Sequence, residues 1–592
     1  MKKHLAICIV LACSAVLQAK TLYLNTGGTS LWETDGANKF AIWHWQGNNS
    51  GSWSAWMTKV EGNIWKVDIS DSSDKVIFCR FNTAASSTDW SSVWNQTNDE
   101  TIPSDKDMYV ISGWNKGDGD WAKYGETPGG GGSDPIQPQD YSSAVPGQCT
   151  DIMLQAFYWD SDQNKGFGDT KWQTLTNQAS EIGQYFSLIW LPPSAAPGPG
   201  GIYIPQCYST QSSSKFGKKS YLEGLISALH NKGVRVIADI VINHCGNKNN
   251  ACDYYELDFG DYGKFSPQSN WMTSNDEGVK SYGCSGGSNA DDGQNGNDSN
   301  YGAARDWDHK NSNVQSMCRA YLKWMKNVIK YDGFRFDFAG GFHTSHLNDY
   351  NSASKPYFSV MEYWNGDAGH LKARVDDAGK NTLAFDFPAR YTAFKNGIAK
   401  GNYNGCKNAG LRGQGYSKYA VTFVDNHDTF QRTNTESDIL NKTDGSSIND
   451  QSVILQCNAY ILALPGVPCV FYPHWVKYKS DIQKMITARK KAGIHSESKI
   501  QEESGSGYYR ATVEGKYGSV KLMLGSAAND AAPSGYTQAV KGSGYAMYYT
   551  GDGQSAVEST TITTQGNKFV QDGQLFIRCG DKVYDAQGRL VK

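Results

Sequence analysis

The chain has 592 residues, a formal net charge of −3, 19% charged and 12% aromatic residues, and 63 glycines. That length exceeds what one hydrophobic core serves and calls for several domains. That charge balance argues against a polyanion partner such as nucleic acid. Its wealth of indoles and phenols suits a sugar polymer, whose ring faces stack on aromatics while its hydroxyls take hydrogen bonds.

In chain order, Lys2 and Lys3 precede an apolar run from Leu5 to Leu17, and Ala19 could close a cleaved secretory signal over residues 1–19. The run Val10-Leu11-Ala12-Cys13 offers lipid attachment as the alternative, with Leu11 unusual in such a box. No later apolar stretch is long enough to span a bilayer. Residues 20–125 are short alternating runs broken by Gly, Asn and Ser, which predict a β-sandwich module. Residues 126–145, with Thr127-Pro128 and Gly129 to Gly132, read as a flexible linker.

From 146 to 494 strand-like runs alternate with amphipathic segments. Candidate strands are Ile152 to Phe157, Ser187 to Leu191, Val234 to Ile240, Gly333 to Phe338, Phe358 to Glu362, Leu383 to Phe387, Ala420 to Asp425 and Val467 to Tyr472. Eight such units predict a closed (β/α)8 barrel of the TIM type. The polar stretch at about 245–305 is too long for a plain loop and reads as a functional or subdomain insert. After residue 494 alternation returns, as in Tyr508 to Val513, and predicts an antiparallel β-domain over 495–550, followed by a tail at 551–592.

Thirteen cysteines include Cys8 and Cys13 in the presumed signal, and the remaining odd number cannot all pair. Cys79 and Cys469 sit in apolar runs, where a buried thiol is expected. Cys245, Cys252 and Cys284 share the loop-rich insert and are the disulfide candidates. No spacing suggests zinc.

Four acid-bearing segments follow one another: Ala238-Asp239-Ile240-Val241-Ile242-Asn243-His244, Gly333-Phe334-Arg335-Phe336-Asp337, Met361-Glu362-Tyr363-Trp364 and Phe423-Val424-Asp425-Asn426-His427-Asp428. Each closes a β-branched or aromatic run, so each delivers an acid to the face where barrel strands end and barrel chemistry sits. Cleaving an acetal needs one carboxyl to protonate the departing oxygen and a second to meet the oxocarbenium carbon. Asp337 and Glu362 end neighbouring strands, about 5 Å apart, which suits the roughly 5–5.5 Å separation of a retaining mechanism. Arg335, on the same side of its strand as Asp337, should keep that acid ionised. Glu362, flanked by Tyr363 and Trp364, is the better proton donor.

These segments resemble glycoside hydrolase family 13, the α-amylase family, and its plant-type branch in particular, over about 151–494. The resemblance extends to Tyr460-Ile461-Leu462-Ala463-Leu464-Pro465-Gly466-Val467-Pro468. It implies a barrel with an inserted domain B and a C-terminal β-domain. It further implies Asp337 as nucleophile, Glu362 as general acid/base and Asp428 as transition-state stabiliser. His244, Arg335 and His427 would contact the sugar at the cleaved bond, and Tyr203 would stack on it. A calcium ion would be held by Asn243, the carbonyl of Gly341, and Asp292 and Asn300 of the insert, although Asn300 stands where the family usually offers a carboxylate. Gly340 replaces a basic residue usual in the plant branch. Separately, Val76-Ile77-Phe78-Cys79-Arg80-Phe81-Asn82 and Val93-Trp94-Asn95-Gln96-Thr97 resemble carbohydrate-binding family 26, a starch-binding module. Trp43 and Trp45 alternate onto one strand face there as a glucan platform, unless a bulge turns one inward. The segment from Lys568 resembles secretion-sorting tails.

The expectation is therefore a secreted, monomeric, retaining endo-α-amylase acting on starch, glycogen and maltooligosaccharides. A transglycosylase on the same scaffold and a non-catalytic glucan receptor are its rivals. Asp239 is read as structural, holding neighbours by hydrogen bonds, and His343 and His346 as helix-start or surface residues. Trp65 and Trp114 are read as core. The Asn289 to Asn300 run is either a calcium segment or a solvated loop.

Overall fold

The computed structural model describes residues 19–553, apart from 27–31, 34–38, 62, 112–113, 115, 117–118, 123, 125–135, 137–138, 199, 214, 290–303, 433–435 and 441–450, together with strands 567–571, 574–579 and 582–585. Residues 1–18 of the presumed signal and most of the linker lie outside the described residues, while Ala19 opens a strand.

The N-terminal module is two sheets. One orders Gly119–Ala122, Met108–Ile111, Ala19–Asn25, Ile64–Ser70 and Thr58–Glu61. The other orders Ser52–Trp53, Lys39–Trp45, Lys75–Phe81 and Val93–Gln96, with Glu100–Thr101 also pairing Lys75–Phe81. Ile64–Ser70 shows the period of two that builds them: Trp65, Val67 and Ile69 are buried while Lys66 and Asp68 face out. The inward set joins Leu22, Leu24, Phe40, Ile42, Val76 and Phe78 in one core. Trp65 is buried as expected, whereas Trp114 is 45% exposed and is no core residue. Its run does not alternate within a strand, so nothing turns that indole inward.

Residues 153–471 supply eight parallel strands that close on themselves. They are β1 (Met153–Gln155), β2 (Leu188–Trp190), β3 (Arg235–Ile240), β4 (Gly333–Phe336), β5 (Phe358–Met361), β6 (Leu383–Phe385), β7 (Ala420–Phe423) and β8 (Val467–Phe471). Closure comes from β1 against β8, with Met153 opposite Cys469 and Gln155 opposite Phe471. Nearly every strand residue is buried, as expected where helices cover the outside and side chains fill the inside. Except for β3, which ends at Ile240 as expected with Asp239 inside it, each strand stops earlier than the apolar run that announces it, so Asp337, Glu362 and Asp428 stand past the strand ends.

The covering helices follow the same logic. In Trp172–Tyr185 the buried positions are Trp172, Leu175, Ala179 and Ile182, one stripe at helical spacing. Burying a side chain such as Leu175 contributes about 1.5–3 kcal/mol. Asp367 caps Ala368–Asp377 by accepting from the His370 amide at 2.6 Å.

Between β3 and β4 the chain leaves the barrel as the expected insert. Short strands His244–Cys245 and Arg305–Asp306 pair at its neck. A disulfide joins Cys252 to Cys284, and Cys245 is buried outside that bridge. The buried Arg305 guanidinium meets Asp276 at 2.5 Å, so covalent and ionic ties hold a segment with few apolar residues of its own.

At the C-terminus an antiparallel sheet orders Lys499–Gly505, Tyr508–Glu514, Ser519–Gly525, Tyr545–Tyr549 and Thr537–Gly542. Its buried residues Tyr509, Val513, Leu522 and Leu524 belong to the same apolar cluster as the barrel. Beyond it Asn567–Gln571, Gln574–Cys579 and Lys582–Asp585 form a three-stranded sheet, where the sequence suggested only a tail. Among the described residues no helix is long and apolar enough to cross a membrane.

Candidate active site

Asp337 follows β4 directly, Glu362 follows β5 directly, and Asp428 lies in the turn beyond β7. Parallel register brings them to one rim. Asp239 stands opposite Arg335 across β3 and β4, and Arg335 opposite Val360 across β4 and β5. Arg335 is the hub. Its Nη1 donates to Asp337 Oδ1 at 2.6 Å and to Asp239 Oδ1 at 2.7 Å, and its Nη2 forms an ion pair with Glu362 Oε1 at 2.6 Å. The guanidinium also lies 4.8 Å from the centre of the Trp190 ring.

Backbone bonds fix the two rim acids. The Asp337 amide donates to the Ile240 carbonyl and the Glu362 amide to the Phe336 carbonyl, both at 2.9 Å. Phe338 adopts φ +45°, a left-handed conformation uncommon for a phenylalanine. Its own amide donates to Glu362 Oε2 at 3.1 Å. Strain of about 1–3 kcal/mol of this kind tends to collect at working sites.

Asp428 is the most open of the three acids, with 37% of its side chain exposed. The Trp159 indole N–H donates to its Oδ1 at 3.0 Å, and His427 Nε2 stands 3.4 Å from its Oδ2. Gln155, the last residue of β1, reaches His427 Nδ1 through its amide nitrogen at 3.1 Å. That leaves the His427 proton on Nε2, towards Asp428.

Electrostatics here are set by burial. Three carboxylates around one guanidinium would carry a net charge of −2 away from water, which is costly. Burial therefore pushes Asp239 up to about 6 and Asp337 well above the usual carboxylate range, against the opposing pull of Arg335 in each case. The expectation that Arg335 keeps Asp337 ionised meets an opposing balance: burial, first, and the neighbouring Glu362 and Asp239 charges push the acid up against the pull of Arg335. Burial likewise raises Asp428, with the Trp159 bond and Arg335 opposing. Burial pushes His244 down to about 4 and His427 down to about 3, so both rings are neutral at pH 7.

The remaining expected residues gather at the same rim. Tyr203 donates its hydroxyl to Asp239 Oδ2 at 2.9 Å and stacks on His427 with centroids 5.0 Å apart and planes within 5°. His244 is fully buried; Nε2 donates to the Tyr203 carbonyl at 2.9 Å and Nδ1 accepts from the Asn243 amide at 3.2 Å. Both of its ring nitrogens therefore face protein. Asp239 holds Arg335, Tyr203 and, at 3.0 Å, the Trp190 indole, the structural part read for it. His343 bonds Ser345 at a helix start, as expected. Gln155, Trp159, Trp190 and Phe338 were not anticipated. Gln155 alone carried a signal, as a polar residue ending an apolar strand.

For calcium, Asn243 Oδ1 lies against Gly341, where a Cβ would come within 2.1 Å of it. The Asn243 amide donates to buried Asp306 at 3.1 Å. Asp292 and Asn300 lie outside the described residues. Among the described residues no three His, Cys, Asp or Glu side chains converge as a metal cage.

In the N-terminal module Trp43 and Trp45 do share a face, with Ala41, opposite the core residues Phe40 and Ile42. Both are half-buried, and Trp43 packs edge-on to Trp53 at 5.3 Å. The indoles most open to solvent are Trp90, Trp94 and Trp114. The guanidinium of buried Arg80 lies 5.3 Å from the Trp94 ring and 5.0 Å from the Trp114 ring.

A closed parallel barrel with paired acids at the strand ends, braced by one buried arginine, defines a glycoside hydrolase. A family model described as the α-amylase catalytic domain matches residues 187–379. Probable alpha-amylase 2 of Arabidopsis thaliana is 30% identical over 434 residues, covering 67% of this chain and 94% of that protein. The chain belongs to the α-amylase family, glycoside hydrolase family 13. The fold is also that of an Anoxybacillus α-amylase crystal structure, at TM-score 0.50 and 15% identity, over 68% of this chain and 96% of that one. A cyclomaltodextrin glucanotransferase, CldA, shares it at TM-score 0.50 and 14% identity, over 68% and 99%.

Proposed function

We propose that the chain is a secreted, endo-acting α-amylase that hydrolyses internal α-1,4 bonds of starch and glycogen with retention of configuration. The observation that carries this is the grip of one guanidinium on both Asp337 and Glu362. Carboxylates held by the two terminal nitrogens of a single planar group stand close together. Close spacing favours the retaining course, for which the separation is about 5–5.5 Å, over the inverting one at about 6.5–9.5 Å.

In this reading Glu362 acts as the general acid and gives a proton to the glycosidic oxygen, while Asp337 attacks the anomeric carbon and forms a glycosyl ester. Arg335 stays bound to both and stabilises the carboxylate that is charged at each stage. Glu362, now ionised, takes a proton from water, which opens the ester. Asp428 accepts hydrogen bonds from sugar hydroxyls, and neutral His427 and Tyr203 line the ring site. His244 serves by fixing the Tyr203 backbone. Asn243, Gly341 and nearby Asp306 fit the hard-oxygen preference of calcium where the insert leaves the barrel, with Asp292 and Asn300 as further ligands. The ion would tie insert to barrel.

The test is a time course of products from soluble starch, with anomers followed by NMR, with and without a chelator. α-Maltooligosaccharides of falling length are expected, with loss of thermal stability on chelation. Initial β-products would overturn retention, larger or cyclic glucans would favour transfer, and no reducing sugar at all would favour a receptor. A melting temperature unmoved by the chelator would overturn the calcium reading.

The module at 20–125 is proposed to bind starch through the face bearing Trp43 and Trp45. Joined by a linker, it raises glucan concentration at the barrel without altering the chemistry. Deleting 21–124 is expected to cut activity on granules several-fold or more and to leave a short soluble maltooligosaccharide within two-fold, by initial rates on both. Equal losses would defeat the tethering idea. Export, whether by the signal at 1–19 or with lipid attachment at Cys13, and a monomeric state complete the reading.

A further inference from the structure

Among the contacts that join the loops after β1 and β7 outside the acid cluster, one is ionic. Arg432 Nε donates to Asp160 Oδ2 at 3.1 Å and its Nη2 to Asp160 Oδ1 at 2.6 Å, a two-pronged pair. The same guanidinium lies 4.9 Å from the Trp159 ring centre. Trp159, next in chain to Asp160, donates to Asp428 Oδ1. Asp160 holds φ +60°, and it also meets Lys165 at 3.0 Å and Lys215 at 3.6 Å.

We propose that Arg432 and Asp160 form a clasp that positions Trp159, and that Trp159 in turn orients Asp428 for the sugar. The proposal rests on the reading of Asp428 as a catalytic group. The clasp is needed because Asp428 is the rim acid with the least support. Asp337 is hydrogen-bonded to Arg335 and Glu362 is ion-paired with it, whereas Asp428 is partly exposed and, among the described residues, its carboxylate meets only His427 Nε2 at 3.4 Å and an indole N–H from another loop at 3.0 Å. An indole on a loop aims its N–H only if the loop is held. A bidentate pair fixes direction as well as distance, and the cation stacked on the ring resists tilting. Arg432 comes four residues after Asp428, so the clasp fastens the turn carrying the acid to the loop carrying its donor. The charged and titratable groups that face Asp428 are Arg335 and His427, with Asp160, Lys165, Lys215 and Arg432 behind Trp159.

The test uses Trp159→Phe, Arg432→Met, Arg432→Lys, the double variant and Asp428→Asn in the full chain, assayed on a short aryl maltooligosaccharide. Trp159→Phe keeps a ring and removes the N–H, and is expected to lower kcat about ten-fold with little change in KM. It should also move the acid limb of the pH profile upward, since Asp428 loses a donor that favours its charged form. Arg432→Met should shift both readouts the same way by about three-fold in kcat, with Arg432→Lys between it and wild type. The double variant should match Trp159→Phe alone, because the clasp acts through that N–H. Independent, multiplying losses in the double variant would overturn the proposal. So would an Arg432→Met enzyme with wild-type kcat and pH profile, or one whose loss tracks a fall in melting temperature with no pH shift. If Asp428→Asn itself retains activity, the reading of Asp428 fails instead, whatever the clasp does.

Discussion

Asp337→Asn is expected to reduce hydrolysis of soluble starch by about four orders of magnitude or more, because removing a nucleophile closes the covalent route. The loss should not be one of folding. An amide oxygen still accepts from Arg335 Nη1, which now meets Asp337 Oδ1 at 2.6 Å. The change also removes one negative charge from a buried site with three carboxylates against one cation, so the melting temperature should hold or rise. Two measurements separate the claims: initial rates by reducing sugar, and a thermal melt. A third identifies the bond. A slow fluorinated glycosyl fluoride should leave one added mass on the wild-type peptide that contains residue 337 and none on the variant. Retention of more than about one per cent of the wild-type rate would remove Asp337 from the role of nucleophile.

That prediction draws on facts of unequal visibility in the sequence. The eight strands were legible because each is an apolar run bounded by turn residues, and the acids because each ends such a run. Their convergence on one rim follows from parallel closure alone. The charge state of Asp337 was not legible. Arg335, two residues away, can be seen in the chain; Asp239 and Glu362, which outweigh it together with burial, arrive from two other strands. The same reason hid Trp159 and the partner of Gln155, since Asp428 and His427 lie some 270 positions distant. Phe338 was hidden for a different reason, since nothing in its residue type announces a left-handed backbone. Trp114 was misread because a large aromatic was taken as core on average behaviour, where no alternating strand supported it.

Glu362→Gln is expected to lower turnover of starch by about 10²–10⁴-fold while glucan binding persists. The isostere is not silent in the structure. Oε1 of Glu362 faces Arg335 Nη2 and Oε2 accepts from the Phe338 amide. Both neighbours are donors, and a glutamine has one oxygen and one NH₂, so one contact must turn from attraction to opposition. A modest fall in stability, of about 1–3 kcal/mol, should accompany the loss of activity. The decisive readout is the leaving group. An aryl maltoside whose phenol is acidic departs without protonation, so its glycosylation step should recover towards wild type in Glu362→Gln. Hydrolysis of the resulting ester stays slow, because the same residue must activate water. The variant should therefore release a burst of phenol equal to the enzyme, followed by a slow steady rate. Glu362→Gln with equal losses on starch and on the activated glycoside would show that residue 362 supports the site without moving the proton. Arg335 would then be bracing Asp337 against a purely structural acid, and the donor would have to be sought among the other carboxyls of the cluster, beginning with Asp239.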